Sequence, residues 1–451
     1  MDNQIHRALS RRRLLTVSAA AAAAATVPLG AGPAAAADGG AVDRAYHYLD
    51  TVMDAYATGT ERRLLQSYNN ESGLLTSAFV YDNALALIAY LARPTAANLR
   101  RARVIGDTFL WIQANDEKFT DGRVRQAYAA GPMLFYGGSP ALPGLVREDG
   151  KAAFLWPFGF SGSAVGDLAW VGLSLVHLHA RTRDKRYLDG AVALGNWIAT
   201  TSTSPHAFSG YVGGVQADGT TVQPWSSTEH NIDCFGLFTL LARFTRDGAW
   251  TKRAANAHRF VTAMFNPAGG YFWTGTQTPA PDLINKDILP EDVNTWQFLA
   301  LSEPCFSGAV DWVVANLAAG NGVTFSDFAK RNNPNGVWLE GTAHLAAALV
   351  ARGRPRDRDR ARGYLRQITT AQATLGGGQT VGRTSDPNDG RLFDPGEGGT
   401  WTGSPLPRNS GIVAASSTFD TGFGFSYFPN QHVGATSWFL MAAQGVNPYR
   451  I

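Results

Sequence analysis

Past residue 38 the chain alternates two kinds of helical segment that differ in how many of their faces are apolar. Six are amphipathic, with one apolar stripe opposite Arg-rich exposed positions: 42–57, 97–114, 185–200, 249–265, 307–318 and 358–373. The other six are apolar nearly all round: 84–91, 168–179, 232–244, 293–301, 343–350 and 435–444. A helix with one apolar stripe lies on a surface, and one that is apolar on every side is enclosed by others. The alternation therefore predicts six helical hairpins, with an inner ring of enclosed helices inside an outer ring of half-exposed ones. An open α-solenoid and a bundle of unrelated helices are the alternatives, but a solenoid calls for tighter repeats and fewer long aromatic loops.

Each apolar segment opens on a short polar or small-residue signature. These are Tyr81-Asp82-Asn83-Ala84, Gly166-Asp167-Leu168-Ala169-Trp170, Glu229-His230-Asn231-Ile232-Asp233, Asp292-Val293-Asn294-Thr295-Trp296, Glu340-Gly341-Thr342-Ala343-His344 and Gly434-Ala435-Thr436-Ser437-Trp438. The weak internal repeat resembles the (α/α)6 toroid of the six-hairpin glycosidases and their relatives. The resemblance implies an all-α fold, a single catalytic domain over 38–451, and long rim loops at 115–163 and 374–432. It also implies a carbohydrate-active enzyme whose inner helices run in one direction, so that their N-terminal ends converge on a central cavity.

Composition changes this picture in one respect. The formal charge of +3 and pI of about 8.8 suggest a basic partner-binding surface, yet the whole excess lies in the first 37 residues, where Arg7, Arg11, Arg12 and Arg13 face Asp2. The remainder is formally neutral, which gives no reason to expect nucleic acid or anionic lipid as a partner. Ser10-Arg11-Arg12-Arg13-Leu14-Leu15 resembles a twin-arginine export signal. It is followed by an Ala-dominated stretch and Ala34-Ala35-Ala36-Ala37, after which cleavage is expected. Alanine mixed with Thr, Ser and Pro transfers poorly into lipid, so a membrane anchor is not expected, and the mature protein should be a secreted monomer. Cys234 and Cys305 are too few for a disulfide framework or a four-cysteine zinc site and read as buried free thiols.

The candidate chemistry gathers at the helix starts. Asp82, Asp167, Glu229, Asp233, Asp292 and Glu340 would meet around one pocket, with Glu229 and Asp233 on one helix face because they are four residues apart. Acidic residues also cap helices, which is a sufficient reason for Asp82, Asp167 or Asp292 to stand there, whereas Glu is a poor N-cap. Trp170, Trp225, Trp296, Trp338 and Trp438 fall on the same rim. Aromatic faces beside carboxylates and amides suit sugar rings, although core packing is the ordinary role of Trp. Tyr81, His230, Asn231, His344 and His432 complete the substrate-binding set, and Tyr128, Trp156, Phe158, Tyr211, Trp273 and Trp401 are loop candidates. No cofactor or metal is expected: there is no phosphate-binding glycine loop, zinc motif or nucleophile elbow, and the acidic stretch 386–397 lacks EF-hand spacing.

The residues thus point to an exported glycoside hydrolase using two carboxyls. Glu229 is the acid and Asp82, Asp233, Asp292 or Glu340 the base; the resemblance to (α/α)6 glycosidases implies the inverting arrangement, with about 6.5–9.5 Å between the pair. A polysaccharide lyase with Tyr81 or His230 as base is the runner-up. A sugar epimerase, which the resemblance implies would work through paired histidines as in one (α/α)6 family, and a non-catalytic glycan-binding toroid follow.

Overall fold

Helices that are apolar on every face need neighbours on every face, and a closed ring supplies them. The computed structural model describes residues 39–57, 62–69, 74, 76–131, 144–154, 159–381 and 404–451. The helices among them are α1 (Gly39–Asp54), α2 (Val80–Ala92), α3 (Ala96–Asn115), α4 (Val165–Thr182), α5 (Lys185–Thr201), α6 (Thr228–Thr245), α7 (Gly248–Ala263), α8 (Asp292–Leu301), α9 (Gly308–Asn316), α10 (Asp327–Asn332), α11 (Leu339–Arg352), α12 (Asp357–Thr374) and α13 (Val433–Ala443). Helix α2 packs on α4, α4 on α6, α6 on α8, α8 on α11, α11 on α13, and α13 back on α2. Outside this ring α3, α5, α7, α9 and α12 each pack on the inner helix before them, and α1 packs on α13. The two kinds of segment read from the sequence are these two rings, and every residue of α8 and α13 is buried.

Four inner helices end in the same way. Arg183, Arg246, Ser302 and Gly353 take left-handed backbone after α4, α6, α8 and α11, and each backbone N–H reaches back to a carbonyl of the last turn. This left-handed cap satisfies carbonyls the helix cannot and reverses the chain within a few residues into the next outer helix. Asp184 and Asp247 then cap α5 and α7.

The opposite ends of the inner helices are tied down by a recurring clamp. Asn83 accepts the Leu65 N–H at 2.8 Å while its amide donates to Leu65 and Phe79 carbonyls. Asn231 does the same with Tyr211 and Ser227, and Asn294 with Phe272 and Pro290. Thr342 and Thr436 serve with one hydroxyl, taking the Val323 and Ile412 N–H groups and donating to Trp338 and His432 carbonyls. A polar side chain buried at the start of an apolar helix thus fastens an incoming loop by its backbone, and the same register recurs in five of six repeats.

The sequence reading anticipated no strands, but short antiparallel ribbons edge this end of the ring. They include Ser77–Phe79 with Ala127–Ala129, Gly214–Val215 between Ser163–Ala164 and Val222–Gln223, Gly275–Thr276 with Ile284–Asn285, and Phe419–Asp420 with Ser426–Tyr427. Both cysteines are free. Cys234 is buried as expected, but Cys305 is exposed, because it sits on a short 3₁₀ turn between α8 and α9 rather than in a helix face. Among the described residues no helix is long and apolar enough to cross a membrane. The arginine-rich leader, Trp156, Phe158, Trp401 and the acidic stretch 386–397 lie outside the described residues.

Candidate active site

The clamp register fixes which side chains look down the ring axis. Two residues before the five clamps, and before Leu168 in the repeat that lacks one, stand Tyr81, Gly166, Glu229, Asp292, Glu340 and Gly434, and one helical turn deeper stand Leu85, Trp170, Asp233, Trp296, His344 and Trp438. Residues four apart share a helix face, so these are two stacked layers.

The deeper layer is a plug. Trp296 and Trp438 stack at 5.7 Å, Trp170 meets both edge-on at 5.3 and 5.9 Å, and His344 lies 4.4 Å from Trp438. From below, Tyr449 enters between Trp170 and Trp296 and donates its hydroxyl to Asp233 at 2.7 Å. The three tryptophans and Asp233, expected at the rim as sugar-facing and catalytic groups, are therefore enclosed beneath it: Asp233 is wholly buried and Trp170, Trp296 and Trp438 nearly so. Their position one turn down from the rim is the physical reason. Asn231 is likewise buried and occupied as a clamp.

The upper layer carries the polar chemistry. Tyr81 donates to Glu340 Oε1 at 2.6 Å and accepts from Trp438 Nε1 at 3.0 Å. The other Glu340 oxygen, Oε2, lies 3.4 Å from His432 Nδ1, and His432 Nε2 meets Asp82 Oδ1 at 3.1 Å. Below, His344 sits between Glu291 at 3.1 Å and Glu340 at 3.6 Å. His432 also caps α13, its Nδ1 accepting the Ala435 N–H, which puts the proton of the neutral ring on Nε2 facing Asp82. Tyr68 stacks flat on the other side of that imidazole at 4.0 Å.

Glycine makes the cluster possible. A Cβ on Gly434 would lie 2.5 Å from Asp82 Oδ1, 2.7 Å from His432 Cε1 and 3.0 Å from Glu340 Oε2, and one on Gly166 would lie 2.5 Å from the His230 ring. His230, beside Trp225 at 5.5 Å, leaves Nδ1 without a partner. Burial pulls its pKa down to about 4, so the ring stays neutral.

The carboxyls divide into two states. Burial raises Glu229 well above the ordinary range, and Asp292, Asp233, Asp167 and Glu340 push it further. Burial and Glu291 lift Asp292 to about 7, and burial with Asp82 lifts Asp167 to about 7 against a hydrogen bond from Gln126. Glu340 goes the other way: burial opposes its charge, but the His344 hydrogen bond, the two imidazoles and Tyr81 outweigh it and hold the group below its usual value. His344 and His432 are raised in return by the carboxylates around them.

Of the three aspartates open to a capping role, Asp292 accepts a first-turn N–H, that of Val293 at 2.6 Å, while the N-cap positions of α2, α4 and α8 are Phe79, Ala164 and Glu291, which make no cap bond; Ser227 and His432 cap α6 and α13. Tyr81, Asp167, Glu229, His230 and Trp225 keep part of their surface open, whereas Asp82, Asp292, Glu340, His344, His432 and Trp338 are covered. Two contributors went unread in the sequence. Glu291 immediately precedes a signature and anchors His344. Tyr427 stacks on Trp338 at 5.8 Å and stands near enough to Glu340, Asp82, Asp292 and Glu229 for all four to oppose its ionisation.

No protein-family model matches the sequence, and no curated protein matches it. Solved structures do. A sugar epimerase from a ruminal bacterium superposes with a TM-score of 0.57 at 10% identity, over 90% of this chain and 99% of that one. The chain has the (α/α)6 toroid fold. Cellobiose 2-epimerase from Bacillus thermoamylovorans superposes at 0.54 with 12% identity, covering 89% and 98%. An inactive variant of an α-1,6-mannanase from Salegentibacter sp., bound to α-1,6-mannotriose, superposes at 0.51 with 12% identity, covering 90% and 98%. Among the described residues of this toroid no group of three or more His, Cys, Asp or Glu side chains is arranged to hold a metal ion.

Proposed function

We propose that this toroid is a carbohydrate-active enzyme, most specifically a glycoside hydrolase. The observation that carries the reading is the opposed tuning of two carboxyls on one rim: Glu229 is held protonated and Glu340 ionised. Groups whose environments push their pKa values apart are what acid and base catalysis at one pH requires. Glu229, partly open to the cavity, serves as the acid that protonates the glycosidic oxygen. Glu340, or Asp292 once ionised, activates water from the facing side. The mannanase neighbour supports this chemistry, and the neutral mature chain suits an uncharged glycan. Release through the twin-arginine route, which carries folded proteins, would deliver it to polymeric sugar outside the cytoplasm.

Epimerisation is the second reading, favoured by the two imidazoles flanking Glu340 and by the epimerase neighbours. His344 and His432 are 0% and 1% exposed and committed to carboxylates, as Glu340, 2% exposed, is to Tyr81 and His344, so enclosure does not separate the two readings. Product analysis separates the readings. Incubation with α-1,6-mannan and cello-oligosaccharides should give new reducing ends, lost by about 10²-fold or more in Glu229→Gln. A product of unchanged length with an inverted C2 would establish the epimerase instead, and an unsaturated, ultraviolet-absorbing product the lyase.

A further inference from the structure

The large hydrophobic side chains left exposed among the described residues are Val222, Leu283, Phe423, Phe425 and Phe428. None lies on the outer helices. All five belong to or adjoin the ribbons at the mouth: Val222 in the 214–223 ribbon, Leu283 beside 284–285, and the three phenylalanines in or next to the 419–427 hairpin. Large exposed apolar side chains that, among the described residues, gather around one opening mark a binding face.

The hairpin is continuous with the site. Phe325, buried, is the hub against which Phe423, Phe425 and Tyr427 pack at 6.0, 6.3 and 5.7 Å, and Phe425 meets Tyr427 edge-on at 5.5 Å. Tyr427 stacks on Trp338, which meets His344 at 5.1 Å. Packed aromatic rings therefore connect the hairpin to the carboxylate layer through Phe325 and Trp338, which are themselves buried. Phe423, Phe425 and Phe428 are 42%, 49% and 40% exposed, and the first two meet Phe325 at steep interplanar angles of 89° and 67°.

We propose that the 419–428 hairpin is an extended glycan subsite, its phenylalanines stacking on the C–H faces of sugar units outside the pocket while one unit sits at Glu229 and Glu340. The inference rests on the carbohydrate reading above and narrows the substrate to an oligo- or polysaccharide rather than a free sugar. Phenylalanine has no hydroxyl or indole N–H, so the subsite contributes hold without reading individual hydroxyls. The carboxylate layer keeps the selectivity.

The test compares the whole protein with Phe423→Ser/Phe425→Ser/Phe428→Ser and with the ring-retaining Phe423→Tyr/Phe425→Tyr, each checked for an unchanged melt. Calorimetry with α-1,6-mannan and with long and short cello-oligosaccharides reads affinity directly, whether or not bonds are cleaved. The serine variant should bind the long glycan about tenfold more weakly while short-oligosaccharide turnover is unchanged, and the tyrosine variant should bind like the parent. Equal affinity of parent and serine variant, or no glycan binding by the parent, overturns the subsite. A parent dimer that the serine variant abolishes assigns the face to a second copy, and vesicle binding that it abolishes assigns the face to lipid. Either result also overturns the proposal. Weakened binding without any cleavage leaves the subsite standing and removes only the hydrolase reading.

Discussion

Replacing Asp167 by asparagine should stabilise the protein at high pH and leave it unchanged at low pH. Asp167 stands in the first turn of α4, where burial first and the Asp82 charge second lift its pKa from 3.8 to about 7, against a hydrogen bond from Gln126. Between those two values the folded chain keeps a proton that the unfolded chain releases, so stability falls as pH rises through that window. Three pH units at about 1.4 kcal/mol each set a ceiling of about 4 kcal/mol. The partial solvent access of the side chain, together with the helix N-terminus, which favours the anion, reduces this toward about 2 kcal/mol. Asparagine has nearly the same shape, can still bond Gln126 and carries no proton to lose. Urea unfolding at pH 8 should therefore show Asp167→Asn more stable than the parent by about 2–4 kcal/mol, with the difference falling below about 0.5 kcal/mol near pH 4. An equal difference at both pH values, or a variant less stable at pH 8, would show that Asp167 is ionised and well solvated and that burial does not govern the rim.

Further outcomes follow from particular contacts. Gly434→Ala drives a methyl into Asp82, His432 and Glu340; it should cost about 1–3 kcal/mol of stability and most of the activity, and an alanine variant with full kcat would show that the three groups need not meet. Tyr449→Phe removes the donor to buried Asp233 and should lower stability by about 1–3 kcal/mol, read by denaturation at pH 6; no change would mean that Asp233 is satisfied otherwise. A thiol reagent should modify exposed Cys305 within minutes in the native protein and reach Cys234 only on unfolding; mass spectrometry showing both labelled natively would refute the enclosed position of α6.

The ring was legible because full enclosure leaves its mark on every face of a helix. Segments such as 293–301 and 435–444 carry no polar stripe, and their surroundings could be inferred from that alone. Depth along the axis was not legible in the same way. Glu229 and Asp233 share a face, but the sequence does not say that the second lies below a floor, because Tyr449, which covers it, comes 216 positions later. Trp170, Trp296 and Trp438 were assigned to the rim for the same reason, although each sits one turn past a rim residue. The Asn and Thr clamp register was present in the signatures and would have separated the layers. The partnership of Asp82 with His432 had no local signal at all.

That partnership has a topological consequence. The two residues are 350 positions apart and belong to the first and last inner helices, which meet only when the ring closes. No shorter piece of the chain can assemble the Asp82–His432–Glu340 constellation, so catalytic competence reports completion of the circle, and a clipped or unfinished product should be inert rather than partly active. Bringing these two helices together carries the largest loop-closure entropy of the inner-ring contacts. The two ends of the circle are held differently: the start of α1 is tied to the end of α12, Gln372 donating to the Ala41 carbonyl, whereas the residues after α13 run beneath the ring, with Tyr449 on Asp233 and Arg450 on the Ala300 carbonyl.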